Sequence, residues 1–142
     1  MKRQSEEVFF KYNTIPTQSD NQTNSININL PSNYSPIAGD IVELFISENQ
    51  NTGYLTYYAK LLFYKPLNTN KLYDVAAING RLAATENNFA ELESAEINEK
   101  NGVFFFTLNT PFGTAIDFDP SGTHIVNLIV HRSKASIDLY YL

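Results

Sequence analysis

Hydrophobic and polar residues alternate in short stretches along the chain, and this period of two predicts β-strands with one buried face. The first stretch lies within residues 6–15 and the second within 25–30. Polar segments rich in Asn, Pro, Ser and Gly separate the stretches and predict turns. Further strands are predicted at 42–46, 55–63, 72–78, 103–108, 114–118, 123–131 and 136–142.

The spacing of these elements predicts an all-β fold, an antiparallel β-sandwich of about eight or nine strands that is immunoglobulin-like or jelly-roll in type. A length of 142 residues fits one domain spanning 1–142. Within it, residues 1–24 form a candidate N-terminal arm, with one apolar strand, Val8 to Tyr12, before a polar loop at 16–24. A lone strand is unstable in water, so this one must pair with its own sheet or with the edge of a neighbouring copy.

Residues 42–63 predict a β-hairpin whose polar loop is 47–53. If Ile46 pairs with Leu55, the apolar faces of both strands lie on the same side of the sheet, as pairing parity requires. The predicted core comprises Val42, Leu44, Ile46, Leu61, Phe63, Phe104, Phe106, Val126 and Leu128.

Residues 81–98 permit two interpretations. In the first, Thr85 caps a helix that turns Phe89 and Leu92 inwards. In the second, a strand over 91–97 leads into a turn, and this interpretation is favoured because β-branched and aromatic residues resume directly afterwards. The segment 103–108 is apolar on both faces and is expected to be a central strand.

An aromatic surface is predicted on the side of the hairpin that faces away from the core. A second layer of structure covers it, or it is a subunit interface, or it stacks sugar rings. The absence of tryptophan weighs against sugar stacking. The candidate interface residues are Tyr54, Tyr58, Tyr64, Ile41 and Phe45 on this surface, and Val8, Phe10 and Tyr12 on the first strand.

The net charge of −5 has a local origin. Five glutamates lie within 86–99 without any Lys or Arg, and the remaining ten acids balance ten bases. This stretch predicts a solvated face or, alternatively, a docking patch for a basic partner. Because the chain lacks a basic footprint, nucleic acid is not an expected partner.

No residue pattern predicts catalysis, a cofactor or a metal site, so an enzyme is not expected. His124 and His131 are seven residues apart on one strand, face opposite ways, and are each predicted to be surface residues at a strand end. Residues 117–122 partly match a calcium loop, but Leu128 occupies the position that requires a bidentate Glu. The segment 119–122 is instead predicted to be a type I turn.

The chain begins with a charged segment, Met1 to Glu7, that no apolar stretch follows, so no secretory signal is predicted. No run approaches the roughly 18 apolar residues needed to cross a membrane. We therefore expect synthesis in the cytoplasm and no membrane partner.

The C-terminal elements follow a definite order: a turn at Asn101-Gly102, a strand at 103–108, a turn at Ser121-Gly122, a strand at 123–131 and a closing strand at 136–142. This order resembles the end of immunoglobulin-like β-sandwich domains in tailed-phage baseplate and capsid-accessory proteins. The resemblance covers about 45 residues, rests on turn spacing and carries no functional residue across.

The resemblance implies a structural or assembly component of a phage or virus particle, as a capsid-accessory, head-fibre, tail or baseplate protein. Its expected partners are other copies of itself or a larger structural protein, and it would be incorporated into a virion. The alternative is a glycan-binding β-sandwich module that uses the surface tyrosines.

Overall fold

The computed structural model describes residues 5–18, 24–50, 53–84, 88–117 and 123–133. Within these residues the chain forms ten strands and no helix. The strands are β1 (Ser5–Thr14), β2 (Thr17–Gln18), β3 (Ser25–Asn29), β4 (Ile41–Gln50), β5 (Gly53–Tyr64), β6 (Asp74–Ala83), β7 (Phe89–Glu91), β8 (Ser94–Lys100), β9 (Val103–Asn109) and β10 (His124–Ser133).

The strands form two antiparallel sheets that pack face to face. The larger sheet has six strands in the order β1-β10-β4-β5-β6-β7, and the smaller has four in the order β2-β3-β9-β8. The chain passes between the sheets after β1, β3, β7 and β9, so segments close in sequence enclose the core from both sides. The predicted all-β sandwich is confirmed, and β9 is a central strand as expected.

The core lies between the inner faces of the two sheets, where the ring centroids of Phe63 and Phe106 are 5.9 Å apart. Eight of the nine predicted core residues are buried, but Phe104 is 47% exposed and that prediction is wrong. Phe104 shares the inward side of β9 with Phe106, but it lies close to the turn at Asn101-Gly102, where the sheet ends. There it lines an open cleft of about 440 Å³ at the end of the sandwich.

The β4–β5 hairpin corrects the predicted loop at 47–53 and the predicted register. β4 continues to Gln50, which pairs with Gly53, the first residue of β5. Ile46 pairs with Tyr57, two residues beyond the predicted partner. A slide of two residues keeps each side chain on its face, so the apolar faces still coincide.

β6 continues past Ile78, the last residue of the strand predicted at 72–78, because Ile78 forms a β-bulge and does not end the strand. Lys60 pairs with Asn79 whereas Leu61 pairs with Ala77, so Ile78 is an extra residue on β6. The bulge leaves Ile78 exposed and keeps both ends of β6 in the ladder with β5.

Gly80 follows the bulge and fills a position where a side chain has no room. A Cβ atom there would lie 2.5 Å from the backbone oxygen of Tyr58 and 3.0 Å from the side chain of Leu92. The glycine therefore permits a close approach within the sheet and does not end β6.

Strands occupy the segment for which helix and strand were both considered. Strand rather than helix is confirmed, but the single strand predicted at 91–97 is wrong, because Glu91 ends β7 and 94–97 begin β8 in the other sheet. Thr85, the proposed helix cap, lies outside the described residues. Phe89 is 56% exposed, whereas Leu92 packs against the core.

The strand predicted at 114–118 is wrong for its described part. Ile116 is buried and forms an isolated bridge with Ala84. The residues before it form a turn instead, because Thr114 N–H donates to the oxygen of Pro111 at 2.9 Å, and the Thr110 hydroxyl donates to the oxygen of Thr114 at 2.8 Å. The predicted turn at 119–122 and strand at 136–142 lie outside the described residues.

A buried ion pair fixes the turn-rich segment before β4 to the end of β10. Asp40 is 1% exposed, and Arg132 donates to both of its carboxylate oxygens, at 2.9 and 2.7 Å. Tyr34 O–H and the backbone N–H of Ile37 also donate to this carboxylate. Burial, and then the charge of Asp40, raise the pKa of Tyr34 well above its ordinary value, so its hydroxyl stays protonated.

Candidate functional site

The outer face of the six-stranded sheet, the side opposite the core, is the main candidate surface. Strand alternation places one set of side chains inwards against the smaller sheet and the other set outwards. No other described strand lies over the outward set, so the interpretation that a second layer covers this face is wrong for the described chain. Its exposed apolar side chains are Phe9, Phe45, Tyr64, Ile78, Phe89 and Ile125.

Four of the predicted interface residues share the outer face. Phe45 and Tyr58 are directly opposite each other on β4 and β5, with ring centroids 5.0 Å apart. Ile41 is half-buried opposite Leu62, and Tyr64 lies at the far end of β5. The backbone of Tyr54 is in β5, but its side chain lies outside the described residues.

The other three predicted residues, on β1, lie on the opposite side of the sheet. Phe10 and Tyr12 pack against the core, with the Phe10 ring 5.4 Å from that of Tyr34. The Tyr12 hydroxyl donates to the backbone oxygen of Asn29 on the smaller sheet at 2.8 Å. Val8 is 36% exposed at the margin of the core. β1 pairs with β10 of the same chain, so Phe10 and Tyr12 are internal contacts in this structure.

A row of polar side chains crosses four strands of the outer face. His131 Nε2 lies 2.7 Å from Glu43 Oε1, and His131 Nδ1 lies 3.4 Å from Glu7 Oε1. The Tyr58 hydroxyl donates to the other oxygen of Glu43 at 2.6 Å. The row fixes the ring of Tyr58, which makes the aromatic pair with Phe45 a preorganised contact.

The electrostatics of this row follow from its hydrogen bonds. The Tyr58 hydroxyl, followed by His131, lowers the pKa of Glu43, although partial burial opposes the shift. Burial, and then the hydrogen bond and charge of Glu43, raise the pKa of Tyr58 to about 12. Near neutral pH the pair is therefore a carboxylate and a protonated phenol, which is the combination that forms a charge-assisted hydrogen bond.

A groove of about 720 Å³ runs along the outer face over β4 to β7. Phe45, Tyr58 and Phe89 supply aromatic walls, while Arg81 and Glu91, which pair across β6 and β7, supply charges. Aromatic rings with a few polar groups are typical of small-molecule and sugar sites.

Several residues of the outer face were missed by the sequence reasoning. Phe9 is 67% exposed and follows Val8 directly, so an apolar run concealed the outward position. Ile125 and Ile129 alternate with the buried residues of β10, and that alternation was a signal available in the sequence. Phe89 was missed because its segment was ambiguous.

His124 is not a surface residue, and that prediction is wrong. It is 1% exposed and its Nε2 lies 3.1 Å from Glu48 Oε2, which is buried as well. His131 is half-buried between two carboxylates, so it too is more than a free surface residue. The two histidines do face opposite sides of the sheet, as parity required.

The surroundings of the His124–Glu48 pair indicate that it stabilises the fold. The ring centroid of His124 is 5.8 Å from that of Tyr57, whose hydroxyl donates to the backbone oxygen of Asp117. Burial, followed by the charges of Glu48 and Asp117, raises the pKa of Tyr57 well above its ordinary value. An imidazole, a carboxylate and a phenol thus meet inside the core, where they link β10, β4 and β5.

Among the described residues, no three His, Cys, Asp or Glu side chains are placed to hold a metal ion. The described part of the chain contains no helix long and apolar enough to span a membrane. Four glutamates of the acidic stretch are exposed on and beside β7 and β8, and Glu86 lies outside the described residues. These four are Glu91, Glu93, Glu96 and Glu99.

Comparison with known proteins identifies no family. No family model matches the chain, and no curated protein matches it. A solved structure that matches is that of the Acinetobacter baumannii phage AM24 tailspike protein, with a TM-score of 0.39 and 8% sequence identity over 90% of this chain. The match covers 26% of the tailspike chain, and at this TM-score it carries no argument about function.

Proposed function

We propose that the protein is a non-enzymatic assembly component of a phage or virus particle, with the outer face of the six-stranded sheet as its docking surface. The observation that supports this most directly is that, among the described residues, no strand covers the outer side of this sheet, whereas most of its inner side packs against the smaller sheet. Large apolar side chains that are exposed together on one face of a protein often mark a binding surface.

The dimensions of the outer face suit a protein partner. Five strands of ten to twelve residues and one of three, about 4.8 Å apart, present roughly 800 Å². That is close to the area of about 800 Å² which one partner buries in a standard protein interface. Four of the six exposed apolar side chains of the outer face are aromatic, and aromatic side chains are the preferred anchors of such interfaces. The particle itself is proposed from the resemblance of the C-terminal strands to phage structural domains.

A photo-crosslinking amino acid at Phe45 tests this proposal in cells that produce the particle. We expect crosslinks from position 45 to a structural protein, or to another copy of the chain, and we expect the adduct in purified particles. The matched control places the same amino acid at Phe112, a 93% exposed phenylalanine in the β9–β10 connection. Purified particles that lack the protein, or equal crosslinking from both positions, would contradict the proposal.

The groove supports a second candidate function, a glycan-binding module. Rings of Tyr58, Phe45 and Phe89 line it beside Arg81 and Glu91, which combines stacking platforms with hydrogen-bonding groups. Tyr64, one of the tyrosines assigned to sugar stacking, is not among the groove residues. A glycan array should then give binding that Tyr58→Phe retains and Tyr58→Ala loses, with Tyr64→Ala as the unaffected control. An array without signal would eliminate this candidate.

A further inference from the structure

The first strand, β1, lies at the end of the six-stranded sheet, and one of its edges has no partner among the described strands. Its ten residues pair with β10 from Ser5 to Thr14, and no described strand pairs with its other side. Alternate N–H and C=O groups of β1 therefore face away from the sheet. The strand contains neither proline nor glycine, and its register with β10 has no bulge.

The other three sheet edges in the described chain are protected. β7 and β2 have only three and two residues. β8 has seven residues, and its outward side chains Ser94, Glu96, Asn98 and Lys100 are all polar. Short strands and charged side chains are common means of preventing edge-to-edge pairing. β1 differs from these edges because it is long and its outward charges flank an exposed apolar side chain, Phe9.

The outward side chains of β1 are complementary to themselves. Glu7, Phe9 and Lys11 are exposed and point to the outer face, opposite His131, Ile129 and Asn127 of β10. In an antiparallel pair of two β1 strands centred on Phe9, residue 7 of one copy lies opposite residue 11 of the other. The arrangement forms two Glu–Lys pairs on either side of a Phe–Phe pair, all on one face.

We propose that two copies of this chain associate through their β1 strands, antiparallel and with the two-fold axis at Phe9. The two six-stranded sheets then form one continuous sheet. On the inner side, the exposed Val8 of each copy lies beside Phe10 of the other, which covers apolar surface at the margin of the core. A two-fold contact of this kind uses the same patch on both copies, as self-complementary surfaces do.

This inference rests on the proposed assembly function for its biological purpose. It adds to that function by naming a second copy of the chain as one partner. It differs from exchange of an N-terminal arm, because each β1 stays paired with its own β10. The experiments separate the two proposals. Loss of the dimer without loss of particle crosslinking from position 45 would remove only the inference, and the reverse result would remove only the assembly function.

Sedimentation velocity over a range of protein concentrations measures the dimer directly. Lys11→Glu places two acids opposite two acids, and Glu7→Lys places bases opposite bases. Each variant alone should dimerise at least about tenfold more weakly than the unmodified chain, because two attractive pairs become repulsive. Mixing the two variants restores both Glu–Lys pairs, so the equimolar mixture should form a heterodimer of nearly the original affinity.

Glu99→Lys, the same charge change on the edge strand of the smaller sheet, is the matched control and should leave the dimer unchanged. Restoration by mixing also guards against misfolding, since two unfolded variants would not restore each other. A chain that stays monomeric at all concentrations overturns the proposal, whether another protein or another segment of the same chain occupies the edge. A dimer that is indifferent to both substitutions, or a mixture that stays monomeric, overturns it as well.

Discussion

At the scale of single residues, the polar contacts inside this sandwich have unequal energetic weight. Arg132 binds both carboxylate oxygens of Asp40, which is almost fully buried, and the pair joins the turn before β4 to the end of β10. The Lys71–Asp74 pair has a separation of 3.4 Å and is more exposed, so water screens it more strongly. Removing one partner of a buried pair leaves a charge without compensation, which is the costly case.

We therefore expect Arg132→Met to lower the free energy of unfolding by about 3–5 kcal/mol. The substitution keeps an apolar stem but leaves the Asp40 carboxylate with only its Tyr34 and Ile37 donors. Lys71→Met is the control and should change stability by less than about 1 kcal/mol. Urea denaturation followed by circular dichroism gives both values. Equal effects of the two substitutions would show that the buried pair has no special role.

Glu43 gives the outer face a predictable pH dependence. Its folded-state pKa is lowered from the ordinary 4.5, first by the Tyr58 hydroxyl and then by His131. A lowered pKa contributes stability that is present above the unfolded-state value and is lost as the pH falls through the folded-state value. The free energy of unfolding should fall below about pH 4.5 more steeply for the unmodified chain than for Glu43→Gln. The difference should be at most about 1 kcal/mol, because the carboxylate is partly hydrated.

The same substitution has a second readout at high pH. The pKa of Tyr58, which is about 12, should move towards 10 in Glu43→Gln, because the carboxylate charge is gone. NMR titration of labelled tyrosine rings resolves this residue from the others. A Tyr58 that titrates identically in both proteins would mean that Glu43 does not hold its hydroxyl in solution.

The two histidines show what the sequence could and could not predict at this scale. Parity along β10 correctly placed His124 and His131 on opposite faces, since alternation is a local property. Buried His124 lies beside Glu48, which comes from a segment that was predicted to be a loop and meets the histidine only through sheet pairing. The partner of a buried polar group is distant in sequence, and the pattern of one strand does not contain it.

At the scale of elements, orientation was predictable and register was not. The hairpin of β4 and β5 has the predicted buried faces although Ile46 pairs two residues away from the expected position. Alternation of side chains fixes which face each residue occupies, but a shift of the pairing by two residues leaves every side chain on the same face. The pattern therefore does not distinguish registers that differ by two residues. Alternation also predicted which residues lie on the outer face. The extent of the groove on that face could not be predicted, because the groove depends on the bulge at Ile78.

Gly80 provides the test at the element scale. Gly80→Ala introduces a Cβ 2.5 Å from the backbone oxygen of Tyr58, so β5 or β6 must shift. We expect a loss of about 1–3 kcal/mol, as for other overpacked interiors. Asn79→Ala, on an adjacent exposed residue, should remain within about 0.5 kcal/mol of the unmodified chain. Thermal unfolding compares the two, and a fully stable Gly80→Ala would show that the ladder tolerates a side chain there.

At the scale of the whole molecule, β1 forms one margin of the outer face. The larger sheet has β1 at one margin, and this strand contributes both an inner side packed on the core and an outer side with Phe9 exposed. The sequence allowed it to be an arm for a neighbour or a strand of its own domain. That choice depends on the register with β10, more than 100 residues away, which no local pattern encodes.

Deletion of residues 1–15 tests the role of β1 in the whole fold. The truncated chain loses ten residue pairs with β10 and the packing of Phe10 on Tyr34, and it exposes the apolar side of Leu128 and Val130. We expect it to lose cooperative unfolding in urea. Phe9→Ser and Phe10→Ser in the full chain compare the exposed side of β1 with its core side. Only Phe10→Ser should lower the free energy of unfolding strongly. A truncated chain that still unfolds cooperatively would mean that β1 is dispensable for the domain and available to another copy.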